Sequence, residues 1–128
     1  MKILVTGATG FLGSYLCPYL ETQGNEVVKV NSKNCDLTKS DSLGQFNGVK
    51  FDQIYHLAAW TQAGDFGLYH PGEQWIINQE INTNVLSWWQ SREPQAKLIM
   101  IGPSCVYDPS MPHKEENFLA GTPTESLF

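Results

Sequence analysis

Three glycines spaced Gly7-x-x-Gly10-x-x-Gly13, in the run Gly7-Ala8-Thr9-Gly10-Phe11-Leu12-Gly13, most constrain what this chain can fold into. They follow residues 2–6, Lys-Ile-Leu-Val-Thr, which read as a short buried strand. They precede Leu12, Leu16, Tyr19 and Leu20, whose i, i+4, i+7, i+8 spacing predicts one buried face of a helix. Pro18 removes a backbone donor inside that helix and predicts a kink near Ser14; Gly24-Asn25 ends it. A strand that turns straight into a helix leaves unpaired N–H groups and the positive end of the helix dipole at the turn. Glycine there lets an anion such as a pyrophosphate approach the backbone. The competing reading is a tight turn that serves only close helix–strand packing.

The rest of the chain alternates in the same way. Glu26–Val30 is β-branched and reads as a second strand, followed by the loop Asn31-Ser32-Lys33-Asn34. Thr38 or Ser40 is placed to cap a short helix through Leu43 and Phe46. Residues 53–58 read as a third strand and residues 60–70, rich in glycine and aromatics, as a loop. Pro71 to about Arg92 is the longest predicted helix, with Pro94 stopping it. Residues 97–101 form the fourth strand, and from Gly102 onward the pattern is irregular and turn-rich. Alternating strands and helices argue for an α/β fold with parallel pairing, and near-continuous apolar strands for a sheet covered on both faces.

Composition narrows the function classes. At 128 residues the expectation is a single domain, 1–128, with 102–128 an irregular C-terminal segment. A net charge of −5 with scattered lysines disfavours a nucleic-acid surface. No apolar run approaches the roughly 20 residues of a membrane span. Met1-Lys2 leads directly into the first strand without a signal-peptide pattern, so a cytoplasmic location is expected. Cys17, Cys35 and Cys105 are odd in number, with no Cys-x-x-Cys, and read as reduced thiols. His56, His70 and His113 have no metal-ligand spacing, so no metal is expected.

Five stretches, in order, resemble the extended short-chain dehydrogenase/reductases, the NAD(P)-dependent nucleotide-sugar epimerases, dehydratases and reductases. They are Thr6–Gly13; Cys35-Asp36-Leu37; His56-Leu57-Ala58-Ala59; Asn78 and Asn84 on the long helix; and Gly102-Pro103-Ser104-Cys105-Val106-Tyr107. The last, with Glu115-Glu116 and Leu119-Ala120-Gly121-Thr122-Pro123-Thr124, is most similar to the GDP-fucose synthase branch. The resemblance implies a truncated Rossmann-type doubly wound parallel sheet of about four strands with helices on both faces. It implies a dinucleotide held by Gly7, Thr9, Gly10, Phe11, Leu12, Gly13, Ser32, Lys33, Asp36, Leu37, Leu57, Ala58, Ala59 and Asn78. Asn31-Ser32-Lys33 stand where NAD enzymes usually place an acid, so Ser32 and Lys33 lean to the 2′-phosphate of NADP; the alternative is a solvated loop lysine.

The departures from the family bear on chemistry. Four residues before Tyr107 stands Pro103, which has no hydroxyl, with Ser104 one place off, and no Tyr-x-x-x-Lys pair occurs. That tyrosine is the acid/base of the family and the lysine lowers its pKa. The substrate lobe of the family is expected to be absent from 1–128. Cys105 matches the cysteine used in epimerisation by GDP-fucose synthases, so Cys105 and Ser104 are the catalytic candidates, against a small buried residue at a strand end. His56 reads as a hydrogen-bonded structural histidine, His113 as a solvated loop residue, and Trp88 and Trp89 as core.

Three readings follow. The first is a non-catalytic dinucleotide-binding domain. The second is an active oxidoreductase or isomerase using Cys105 or partner-chain residues on a nucleotide sugar. The third is an interaction protein that keeps the fold without the cofactor. An unpaired apolar edge at 97–101, and a long helix at 71–92 without its neighbour, predict self-association.

Overall fold

In the computed structural model, Lys2–Thr6 (β1), Glu26–Val30 (β2), Gln53–His56 (β3) and Lys97–Met100 (β4) pair in the order β2-β1-β3-β4. Every pairing is parallel, as the alternation predicts. The structure describes residues 1–61, 65–118 and 120–122, and the side chains of Leu68 and Cys105 are outside that description. Gln62, Ala63 and Gly64 of the predicted loop lie outside the described residues, as do Leu119, Pro123, Thr124 and the rest of 123–128.

Strand alternation divides the core into two layers. Ile3 and Val5 point to one face and pack with Ala8, Cys17 and Leu20 of the helix Phe11–Thr22 (α1) and the turn before it. Leu4 and Ile54 point to the other face and pack with Ile81, Val85 and Trp88 of the helix Pro71–Arg92 (α3). The sheet is therefore covered on both faces. Trp88 donates its indole N–H to Asn47 Oδ1 at 3.1 Å, and Trp89 donates to the Ala96 carbonyl at 2.9 Å. Glu93, just past α3, is 4% exposed; its carboxylate accepts the Phe51 N–H and the Lys50 ammonium, each at 3.2 Å.

Several sequence expectations change. The buried face of α1 is Gly13, Cys17 and Leu20, while Leu12 and Tyr19 are exposed. Gly13 must abut the loop before the helix, and that contact rotates Leu12 and Tyr19 outward. The element at Ser42–Phe46 is a 3₁₀ turn preceded by Asp41, not a helix capped by Thr38 or Ser40. Thr38 is unavailable because its hydroxyl and its N–H both donate to Asp36 Oδ1. The predicted loop at 60–70 contains a four-residue helix, Phe66–Tyr69 (α2). β3 ends at His56 and β4 at Met100, each earlier than predicted, and short 3₁₀ turns occupy Ser104–Val106 and Glu115–Asn117.

Candidate functional site

An open cleft of about 370 Å³ lies where β1, β2 and β3 end. Gly7, Thr9 and Gly10 contribute from the turn after β1, Asn31 and Ser32 from the end of β2, and Leu57 to Thr61 from the end of β3. Cys35 to Thr38 and, from α3, Ile77 and Ile81 complete it.

The glycine turn shows why these positions lack side chains. Gly7 has φ +66°, and a Cβ there would lie 2.8 Å from the Ala58 nitrogen. A Cβ at Gly13 would lie 2.3 Å from the Gly7 carbonyl oxygen and 2.7 Å from Ala8 Cα. The turn is braced by the Ala8 N–H on the Val30 carbonyl and the Gly10 N–H on the Gly7 carbonyl, both 3.0 Å. Gly10 caps α1 in extended conformation with no side-chain bond, and the first turn carries no acid. Among the described residues no acceptor takes the N–H groups of Phe11, Leu12 or Gly13. The cleft thus borders three open donors and a helix dipole, the chemistry of an anion site.

At the β2 end, Asn31 is committed to its own loop. Its Oδ1 accepts the N–H of Lys33 at 2.9 Å and of Asn34 at 3.3 Å, and its N–H donates to Asn34 Oδ1. Asp36 bonds Thr38, and these bonds hold its carboxyl below the ordinary range. At the β3 end, Thr6 Oγ1 accepts the N–H groups of Leu57 and Ala58, both at 3.1 Å, and lies 2.7 Å from His56 Nδ1. His56 Nε2 is 3.0 Å from Asn82 Oδ1. Burial pushes the His56 imidazole below its ordinary pKa, and the Asn82 bond partly opposes it.

The structure brings Gly7, Thr9, Gly10, Ser32, Asp36, Leu37, Leu57, Ala58 and Ala59 to one cleft. It does not bring the side chains of Phe11, Leu12, Lys33 or Asn78 there, and Gly13 is packed beneath the turn. Phe11 is 86% exposed, and Lys33 makes no ion pair among the described residues. Asn78 instead clamps the Trp60 backbone, accepting its N–H and donating to its carbonyl at 2.8 Å each. Asn84 donates to the Leu37 carbonyl at 2.9 Å, holding the strand-to-turn segment against α3. Ser104 is exposed in its 3₁₀ turn and does not line the cleft; the Cys105 side chain lies outside the described residues. Sequence reasoning missed Asn31, Cys35, Thr38, Trp60, Thr61, Ile77 and Ile81 as lining residues. The helical spacing of Ile77 and Ile81 was visible, but periodicity alone marks them as core. Among the described residues no group of three or more His, Cys, Asp or Glu is placed to hold a metal, and no helix is long and apolar enough to cross a membrane.

A parallel sheet with helices on both faces, opening at a glycine turn at its carboxyl edge, is a Rossmann-type architecture. Residues 3–126 match the NAD dependent epimerase/dehydratase family, and the chain belongs to it. It is 29% identical to a probable GDP-L-fucose synthase 1 of Oryza sativa subsp. japonica, over 97% of this chain and 39% of the relative. It is 30% identical to a UDP-glucuronic acid decarboxylase 1 of Xenopus tropicalis, over 90% of this chain and 30% of the relative. A GDP-L-fucose synthetase from Naegleria fowleri bound to NADP superposes with a TM-score of 0.78 at 26% identity, covering 98% of this chain and 42% of that one. The chain spans about a third of the length of the curated relatives it matches.

Proposed function

We propose that the cleft binds a nicotinamide dinucleotide, with the chain serving as the cofactor half of a nucleotide-sugar epimerase or reductase. The observation that carries this reading is the glycine turn: Gly7 and Gly13 have no room for a Cβ, and they stand beside three open N–H groups at the start of α1. In this reading the pyrophosphate lies on Gly7–Gly10 and the start of α1, and Asp36-Leu37 and Leu57–Ala59 flank the adenosine half. Family membership and the NADP-bound relative support the same assignment.

NADP is the favoured form. Asn31 stands at the end of β2 without a carboxylate for ribose hydroxyls, and its amide oxygen is already occupied by two backbone donors. Ser32 lines the cleft and Lys33 follows, a hydroxyl and a cation for a 2′-phosphate. These 128 residues carry Pro103 at the position matching the catalytic serine, and hold no Tyr-x-x-x-Lys pair. We therefore propose that they bind the dinucleotide without turning over a nucleotide sugar, and that Ser104 and Cys105 are not catalytic by themselves.

The test is a thermal-shift and fluorescence titration with NADPH and NADH, on wild type and on Gly10→Asp. A ligand that binds only the folded state raises the melting temperature. Aspartate is a favourable residue at a helix N-cap, so Gly10→Asp keeps α1 while placing a carboxylate where the pyrophosphate would lie. Saturable binding that is tighter for NADPH and lost in Gly10→Asp is the expected result. No binding by folded wild type would refute the proposal and favour an interaction protein that retains the fold. Turnover of NADPH with a GDP-4-keto sugar would refute the non-catalytic part.

A further inference from the structure

We propose that Thr6, His56 and Asn82 form a positioning relay that holds the Leu57–Ala58 turn against Gly7 and so sets the floor of the cleft; the inference rests on the dinucleotide reading above. Hydrogen-bond accounting carries it. Thr6 Oγ1 accepts the N–H groups of Leu57 and Ala58 at 3.1 Å, which occupies both of its acceptor sites. Its single proton is then donated to His56 Nδ1, 2.7 Å away. Nδ1 must be an acceptor, which assigns the imidazole as the neutral Nε2–H tautomer. Nε2–H donates in turn to Asn82 Oδ1 at 3.0 Å.

The relay runs from α3 through β3 to the end of β1, and its last bonds fall on two residues that line the cleft. Ala58 is the residue whose nitrogen leaves no room for a side chain at Gly7. Thr6, His56 and Asn82 do not themselves line the cleft, so their effect passes through the turn.

Protonating His56 breaks the accounting. Nδ1 becomes a donor, and three donors then converge on an oxygen with two acceptor sites. Leu57 or Ala58 loses its partner and the turn moves relative to Gly7. The ring's hydrogen-bond partners are Thr6 on β1 and Asn82 on α3, and Met100 stands beside His56 in register on β4; none is charged. Burial disfavours the imidazolium and the Asn82 bond partly opposes that, with no charged neighbour contributing.

The experiment is long-range ¹⁵N–¹H correlation on the labelled full chain from pH 8 to pH 5, with NADPH affinity measured in parallel. The expected results are an Nε2–H tautomer for His56, Leu57 and Ala58 amides that shift as His56 titrates, and affinity that falls over the same interval. Asn82→Asp, which sets a carboxylate against Nε2–H, moves that interval up by about one pH unit. Thr6→Val weakens NADPH about tenfold, and Thr6→Ser, which keeps the hydroxyl, recovers the loss. An Nδ1–H tautomer overturns the relay. So do amides that stay still while His56 titrates, or an affinity curve that Asn82→Asp leaves in place. Failure of wild type to bind NADPH at pH 8 would instead refute the dinucleotide reading, while the tautomer and the two amides still decide the relay.

Discussion

Replacing Gly13 with alanine puts a methyl group where the backbone already stands. Its Cβ would meet the Gly7 carbonyl oxygen at 2.3 Å, Ala8 Cα at 2.7 Å and the Ala8 carbonyl carbon at 2.8 Å. None of these is the end of a flexible side chain, so relief requires α1 to retreat from the turn by about 1 Å. That retreat strains the packing of Cys17 and Leu20 on Ile3 and Val5. Overpacking of this kind costs about 1–3 kcal/mol, while alanine in place of glycine inside a helix returns at most about 1 kcal/mol. The net loss of about 1–2 kcal/mol lowers Tm by roughly 5 °C in a domain this size. It also draws the open N–H groups of α1 away from the cleft, and NADPH affinity falls with it. Gly72→Ala in the first turn of α3 is the control: nothing lies within 4 Å of its Cβ, so the propensity gain is unopposed and Tm holds or rises. Scanning calorimetry of the two variants beside wild type decides the matter. A Gly13→Ala protein that melts at or above wild type would refute the backbone-contact account of the turn.

Other outcomes follow from the same geometry. Glu93→Ala leaves the Phe51 N–H without its acceptor and costs about 1–3 kcal/mol by urea denaturation. His56, held by burial below its ordinary value of 6.5, resists a proton that the unfolded chain accepts below that pH. Its contribution to stability is intact above pH 6.5 and is lost as pH falls through the lowered folded value; urea midpoints at pH 7.5 and 5 drop further in wild type than in His56→Gln. Lys33→Ala narrows the preference for NADPH over NADH in paired titrations. Trp75 and Ile76, 65% and 57% exposed, border a shallow hollow of about 340 Å³ on α3, and Met100 and Ile101 flank the open β4 edge. Light scattering should show self-association that Trp75→Glu or Ile101→Lys weakens; a monomer at high concentration would count against it.

Much of the scaffold was legible because it rests on short-range signals. Strand positions followed from apolar runs bounded by polar residues, and the limits of α3 from Pro71 and Pro94. The buried face of α1 was read in part: Leu16 and Leu20 pack on the core, but periodicity treats every apolar residue alike, whereas Gly13, invisible to a hydrophobic pattern, fixes the rotation that leaves Leu12 and Tyr19 exposed. The cleft was half legible for a related reason. Glycine positions announce backbone contacts, but Asn31, Trp60, Ile77 and Ile81 reach the cleft only through the tertiary fold. Asn78 shows the converse: a residue picked out by resemblance turns its amide to the Trp60 backbone.

Binding and chemistry draw on different parts of such a chain. The cleft is assembled from residues 7, 9 and 10, 31 and 32, 35–38, 57–61 and two positions of α3, and the open polar groups at its glycine turn are backbone N–H donors. Backbone donors do not depend on a tuned pKa, and a substitution removes them only by filling the glycine positions or moving α1. Acid–base catalysis instead requires a particular side chain, within bonding reach of substrate and matched in pKa. Ser104 sits exposed in a separate turn, and Pro103 offers no hydroxyl. The two capacities are therefore separable by mutation. Substitutions at Gly7, Gly10 or Gly13 are expected to weaken or abolish NADPH binding, whereas Ser104→Ala is expected to leave it intact. Should Ser104→Ala weaken NADPH as much as Gly10→Asp does, the turn at 104–106 would have to be part of the dinucleotide site, and the division drawn from the geometry would fail.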